Sequence, residues 1–414
     1  GANFNLTPHL DALAEEGTLF LNHMTCQPVC GPARAVLQTG RYASQIPVEI
    51  NDVRLPDGVP TLATYLTDAG YETAYVGKWH LASQHTGKPE AEDYQDYRTK
   101  AIPEPYRGGY KDWWIASDVL EFTSHGYGGE MFDAKMHERP FEHYRADATT
   151  DFALEYLEDR KRREATAPYF LFVSYIEPHH QNDRDHFEGP EGSKEKFKDY
   201  EVPEDLVLAK EKGSAGDWEK EMPDYLGQCA SLDENVGRIL EAIPEDERDN
   251  TIVIYTSDHG CHFRTRNAEY KRSCHDASIH VPLIISGPGF EDHNDVEHVT
   301  SLIDLPPTIL RAAGIDVPST MQGYPLQELV DEGTFPRDAA YVEISESGHS
   351  RAIRTDRYTY AVDLDISDEA MNRALQAMFQ GEWDDNPLFQ SQTAYREAKL
   401  YDNEKDPAQW TNRI

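Results

Sequence analysis

Tyr169-Phe170-Leu171-Phe172-Val173-Ser174-Tyr175-Ile176 runs straight into Glu177-Pro178-His179-His180. An aromatic and β-branched run with almost no polar interruption predicts a strand buried on both faces of a central sheet. Its abrupt end on ionisable residues marks the carboxyl end of that strand, where open α/β sheets bind ligands. Two more runs repeat the pattern. Residues 72–76 lead into Gly77-Lys78-Trp79-His80, and residues 251–256 lead into Ser257-Asp258-His259-Gly260. Residues 281–286 read as a fourth buried strand.

Helical patterns alternate with these runs. Thr7, Pro8 and Gly17 punctuate a short helix as N-cap, first residue and stop, and residues 60–70 repeat the design. Residues 147–160, 224–243 and 305–313 carry apolar side chains at helical spacing. Strands alternating with helices predict an α/β sandwich. After residues 333–337 the texture changes to short strands, 339–344, 350–354 and 357–362, and a helix over 368–379. This places a boundary near residue 335: residues 1–335 form the large domain and 336–414 a small α+β subdomain. Residues 84–113 (in part) and 185–218 are polar and predict long surface loops, where specificity tends to reside.

The 414 residues carry a formal charge of −36. That excess of carboxylates argues against a nucleic-acid groove or an anionic lipid surface as partner. An anionic small substrate stays compatible if the site gathers its few basic residues locally. The most apolar run, residues 169–176, is far too short to span a bilayer, so no membrane span is predicted. No basic leader followed by an apolar block opens the text, so any export signal is expected outside it. The five cysteines, Cys26, Cys30, Cys229, Cys261 and Cys274, are too few for a disulfide scaffold.

Cys30-Gly31-Pro32-Ala33-Arg34, followed by Leu37, Thr39, Gly40 and Arg41, decides among the readings of the polar clusters. Pro32 in the first turn and Gly40 past the end predict a short helix with Cys30 at its start. The positive end of a helix favours anions and lowers a thiol pKa, and Arg34 could reach back toward Cys30. A buried free thiol is the plain alternative. Zinc held by Cys26, Cys30, Cys261 and Cys274 is another, at spacings that match zinc ribbons poorly.

Cys-x-Pro-x-Arg followed by Thr-Gly-Arg resembles the signature of the type I, formylglycine-dependent sulfatases. The other blocks agree in order: Thr7-Pro8-His9-Leu10-Asp11, Gly77-Lys78-Trp79-His80, Pro178-His179, Ser257-Asp258-His259-Gly260, Lys271, Ile279-His280-Val281-Pro282, and Leu400-Tyr401-Asp402 with Asp406-Pro407. The resemblance implies an alkaline-phosphatase-like sandwich: a large mixed sheet flanked by helices, then a small C-terminal antiparallel sheet with a helix. It implies hydrolysis of a sulfate monoester by a formylglycine (3-oxoalanine) made from Cys30 and transiently sulfated. It also implies a formylglycine-generating or anaerobic sulfatase-maturating enzyme as partner, and a periplasmic or secreted setting. Arg34 and Lys78 would hold the hydrate and sulfate oxygens, and Lys271 would neutralise the bridging oxygen. His179 would protonate the leaving alcohol and His80 would deprotonate the remaining hydroxyl. Asp258, His259 and Cys30 match metal positions, with calcium the usual ion. A phosphonate or phosphate ester hydrolase of the same fold, or an inactive sulfatase-like binding protein, are the alternatives.

Two departures set further expectations. The family's first strand ends in two adjacent metal-binding aspartates, absent ahead of Thr7. The chain is therefore expected to extend upstream of Gly1. As given, it is expected to show a gap in the sheet, to bind calcium weakly, and to leave Asp258 against Arg34 or Lys271. His280 stands where arginine is common and is assigned no role. The substrate is expected to be a small sulfated saccharide cleaved at a chain end. His180, Gln181, Asn182 and His262 would bind its hydroxyls, and Tyr106, Trp113, Trp114 and Trp218 could stack on a ring.

Overall fold

The computed structural model describes residues 4–84, 94–291, 294–379 and 394–414. The strand Glu72–Lys78 lies inside a five-stranded sheet, parallel to Trp113–Ser117 on one side and to Tyr169–Ser174 on the other. Beyond Trp113–Ser117 the antiparallel hairpin Tyr127–Asp133 and Glu138–Tyr144 extends the sheet. Side chains of the central strand alternate between two helical layers, as a period of two requires. Ala74 and Val76 pack on Tyr156, Ala148 and Phe152 of the helix Arg145–Arg162. Tyr75 turns the other way, into a cluster with Ala35 and Ala63 of the helices Cys30–Thr39 and Leu62–Asp68. Its ring stacks between Trp114 and Phe172 at centroid distances of 5.3 and 5.2 Å. The sandwich expected from the sequence is present.

The second part of the central sheet has four strands in the order Val253–Thr256, Leu283–Ser286, Thr18–Phe20, Asn294–Val296. The first three are antiparallel neighbours and the last pair is parallel, so the architecture is mixed. Among the described residues no strand joins the two sheets. The edge strands Tyr169–Ser174 and Val253–Thr256 instead line one cavity of about 1250 Å³. This matches the gap expected in the sheet. It also corrects the expectation of full burial: both strands are half-buried along nearly all their length. Their apolar faces are covered by helices while one hydrogen-bonding edge of each stays open to the cavity.

A four-stranded antiparallel sheet follows: Ala339–Ile344, Ser350–Thr355, Tyr358–Leu364 and Tyr395–Asp402, with the helix Asp368–Phe379. It shares an apolar core with Met24, Cys274 and Ile279 of the large sandwich. The two predicted loops need correction. Residues 185–218 hold the helices Ser193–Lys196 and Glu204–Glu211, and the helix predicted from 224 already begins at Trp218. Residues 85–93 of the other loop lie outside the described residues. Trp113 ends no loop but opens a strand of the sheet.

The aromatic residues proposed for stacking on a sugar pack into the body instead. Trp114 and Trp218 are buried, Trp113 lies against Tyr156 at 5.8 Å, and Tyr106 sits under Arg54 at 4.5 Å. Large rings hide more apolar area in the core than a loop surface offers.

Candidate active site

Cys30 opens the ten-residue helix Cys30–Thr39, preceded by Val29 in an extended conformation. Gly40 stops the helix in the left-handed region at φ 66°, its N–H bonded to Val36 O at 2.8 Å. The Gly31 N–H at the helix start is held by Asn51 Oδ1 at 2.9 Å. The sulfur is thereby fixed where the loops after three strands converge. Lys271 Nζ lies 2.9 Å from Cys30 Sγ and His259 Nε2 lies 3.2 Å away. Lys271 Nζ is also 3.2 Å from His179 Nε2 and 3.1 Å from His259 Nε2.

Each neighbour is pinned from behind. His259 Nδ1 donates to the Gly260 carbonyl at 3.0 Å, which leaves Nε2 facing the sulfur. Arg34 donates to Lys78 O and Ser174 Oγ at 2.8 and 2.6 Å and pairs with Asp258 at 3.2 Å. Its hydrogen bonds thus go to the strand ends rather than back to the thiol. Lys78 is buried in the same pocket wall. His80 adopts a positive φ of 59°, and its Nε2 meets Asp52 Oδ1 at 3.3 Å. Asp52 and Arg272 beside the site share that unfavourable backbone region, strain of the kind that collects at functional sites.

Electrostatics separate the cysteines. Burial alone would push the Cys30 thiol up, but Lys271, Lys78 and His259 outweigh it and hold the thiol well below its usual range. At Cys26 burial outweighs the Ser301 hydrogen bond and the charge of Arg337. Burial pushes its thiol up to about 12, and its sulfur meets Ser301 Oγ at 3.2 Å. Burial opposes ionisation of Asp258 too, yet His259 and Arg34 lower its pKa below the usual carboxylate value. For His80 the burial penalty is outweighed by Asp52 and the Cys30 sulfur, which push its pKa up to about 9. A chain of net charge −36 therefore concentrates Arg34, Lys78 and Lys271 around one buried atom.

Cys30, Asp258 and His259 each bring one donor within 4.8 Å of the others, the one such group among the described residues. The zinc alternative is thereby corrected, since Cys26, Cys261 and Cys274 do not converge on Cys30. Calcium asks for about six to eight oxygen ligands, and of these three donors Asp258 alone is a carboxylate. Cations already sit on two of the donors, Arg34 on Asp258 and Lys271 on Cys30. The described residues supply one corner of a calcium site and do not complete it. Asp258 against Arg34 is the pairing expected from the sequence.

The residues predicted to bind saccharide fare unevenly. Gln181 is buried and bonded to Arg145, the Glu121 carbonyl and Asp183. His262 is fully buried, donates to the Lys271 carbonyl at 3.1 Å, and is lowered to about 4, chiefly by burial. Neither lines the cavity; His262 shapes the Lys271 loop instead. His180 reaches the cavity wall under a stacked Tyr270 at 4.3 Å, and Asn182 lines the cavity with exposed surface. Sequence reasoning missed Glu121 and Asp52. Glu121 follows the strand Trp113–Ser117, so the cue of a polar group after a strand end was present once that strand was recognised.

Comparison with known proteins agrees with this geometry. The sulfatase family pattern matches residues 1–315, and that of the N-sulphoglucosamine sulphohydrolase C-terminal region matches residues 268–365. The chain is 32% identical over 375 residues to an ulvan-active sulfatase of Formosa agariphila, covering 86% of this chain and 68% of the relative. It is 27% identical to an N-acetylglucosamine-6-O-sulfatase of Bacteroides thetaiotaomicron, covering 84% and 71%. A solved structure bound to its substrate D-glucosamine-2-N,6-O-disulfate superposes with a TM-score of 0.69 at 22% identity, covering 99% and 88%. A phosphonate monoester hydrolase of Silicibacter pomeroyi shares the fold at a TM-score of 0.63 and 22% identity, covering 96% and 84%. With the family pattern spanning most of its length and the family's motif converging on one buried pocket, the chain belongs to the sulfatase family and is a sulfuric ester hydrolase.

Proposed function

We propose that the protein removes sulfate from a terminal or short-chain saccharide through a formylglycine made from Cys30 by a maturating enzyme. The observation that carries this reading is the convergence of Lys271, His259, His179 and His80 on the Cys30 side chain. The pocket suits an aldehyde hydrate: His80 Nδ1 and Arg34 Nε are buried there without a hydrogen-bond partner, and a second hydroxyl would answer such orphaned groups. The hydrate supplies an oxygen nucleophile for sulfur and a second hydroxyl through which sulfate can be released.

The residues around it divide the work. Lys78 and Arg34 hold sulfate oxygens, and their charges offset what accumulates as the S–O bond breaks. Lys271, 2.9 Å from the Cys30 sulfur, neutralises the bridging oxygen, and His179 Nε2 beside it gives a proton to the departing alcohol. His80 takes the proton of the second hydroxyl. Part of its raised pKa comes from the anionic sulfur; neutral hydroxyls in that place would leave Asp52 as its acidic partner. Calcium completed by further carboxylates would polarise sulfate oxygens, with Asp258 and His259 among its holders.

The saccharide assignment draws support from the glucosamine sulfatase among the relatives and from the net charge, which disfavours long sulfated polymers. The test measures kcat/KM of matured enzyme on sulfated mono- and disaccharides, an aryl sulfate, and an aryl phosphonate or phosphate of matched leaving group. Saccharide sulfates should lead. An aryl sulfate ahead by orders of magnitude would refute the saccharide reading. Preference for phosphorus would favour the phosphonate hydrolase relationship instead.

A further inference from the structure

The loop after the strand Trp113–Ser117 carries a carboxylate that the reaction scheme leaves without a part. Glu121 is 6% exposed, and its Oε2 stands 3.3 Å from His179 Nδ1. Its Oε1 accepts from Asn182 Nδ2 at 2.9 Å, while its backbone carbonyl accepts from Gln181 Nε2 at 3.0 Å. Asn182 in turn meets His180 Nδ1 through Oδ1 at 3.1 Å. His179 Nδ1 has the His180 carbonyl at 2.6 Å as its hydrogen-bond acceptor. Nδ1 must therefore carry its hydrogen, and the opposite nitrogen, Nε2, is the one turned toward Lys271 and Cys30.

We propose that Glu121, held by Asn182, is a positioning residue for His179, a buried carboxylate that orients the ring from behind. The proposal rests on the reading of His179 as the proton donor to the leaving alcohol. In that step the S–O bond to the alcohol breaks, and the alcohol oxygen takes the electron pair and then the proton from Nε2. The proton on Nδ1 stays in place between the His180 carbonyl and Glu121. The carbonyl fixes the tautomer, and Glu121 adds a second oxygen against the same ring nitrogen. Two acceptors on the inner nitrogen keep the ring from turning, so that Nε2 stays toward Lys271 and Cys30. The same arrangement explains why Asn182, expected to touch the sugar, spends its amide on Glu121.

A structural carboxylate and a positioning one predict different kinetics. A proton donor matters in proportion to the leaving group's need for a proton. In matured enzyme, Glu121→Gln preserves shape and the Asn182 contact while removing charge. On a saccharide or alkyl sulfate its kcat/KM should fall by about 10²-fold, within the range general acids supply. On a nitrophenyl sulfate, whose anion leaves unaided, the fall should stay below about threefold. Asn182→Ala alters an exposed residue and should give the same dependence at smaller size, which keeps the proposal testable if Glu121→Gln does not fold. His179→Ala is the control for the underlying reading. If His179→Ala shows leaving-group dependence and neither other variant does, the proposal on Glu121 is overturned while His179 stands. If His179→Ala slows every substrate alike, the reading of His179 itself fails. Equal losses on all leaving groups in Glu121→Gln and Asn182→Ala, with His179→Ala dependent, would make Glu121 merely structural.

Discussion

Replacing Arg145 probes how the fold holds the His179 segment. Arg145 opens the helix Arg145–Arg162, and its Nε donates to Glu177 Oε1 at 2.8 Å with side-chain exposures of 1% and 0%. Its NH1 also meets Gln181 Oε1 at 3.2 Å and Ser124 O at 3.3 Å. Glu177 Oε2 has no hydrogen-bond partner among the described residues, so Arg145 on Oε1 is what compensates this carboxylate in the interior. Arg145→Met keeps the unbranched stem and removes the charge, stranding Glu177 and Gln181 on either side of His179. Breaking one side of a buried pair costs about 3–5 kcal/mol. With a urea m-value of about 3 kcal/mol/M for a chain this large, the midpoint should drop by about 1 M or more. Arg145→Met/Glu177→Leu removes both charges and should regain stability to within about 1–2 kcal/mol of the parent. Turnover of the double variant should stay low, because the anchor of the Glu177–Gln181 turn is gone. Urea unfolding followed by fluorescence, with activity measured in parallel, decides. A single-variant loss below about 1 kcal/mol, as for a surface pair, or a double variant no better than the single, would refute the reasoning.

Three further outcomes follow from the same geometry. Glu49, raised to about 7 by burial first and then by Glu343, binds its proton more tightly folded than unfolded. Stability is therefore lost as pH rises from about 4.5 to 7, and Glu49→Gln should stabilise by up to roughly 3 kcal/mol above pH 7 and by nothing below pH 4.5, read from thermal melts. Cys26→Ala should keep most turnover, since its sulfur touches Ser301 in an apolar cluster rather than the site; a dead Cys26 variant would contradict the assignment of Cys30. Calorimetric titration of residues 1–414 with calcium should give a Kd weaker than about 10⁻³ M. Tight stoichiometric binding would show that other carboxylates complete the site.

The sequence was most informative where chemistry and periodicity coincided. The strand ends at Lys78, His179 and Asp258, and the helix starting on Cys30, were legible because each is an unbroken apolar run or capped turn ending in ionisable groups. Trp113–Ser117 was not, because two tryptophans beside a polar loop read equally as surface or strand, and losing it hid Glu121. Gln181 and His262 were misjudged for one shared reason. Adjacency to a catalytic residue in sequence does not fix which way a side chain turns, and both turn inward to hold backbone and Arg145. The half-buried edges of Tyr169–Ser174 and Val253–Thr256 were likewise invisible in composition, because apolar side chains report on the faces of a sheet and not on its hydrogen-bonding edges.

The most direct test of the account is the fate of Cys30 in protein coexpressed with a formylglycine-generating enzyme. Mass spectrometry of the peptide containing Cys30 should show the thiol replaced by an aldehyde, and sulfatase turnover should rise with the converted fraction and vanish in Cys30→Ala. Full turnover in Cys30→Ala, or activity independent of conversion, would contradict it.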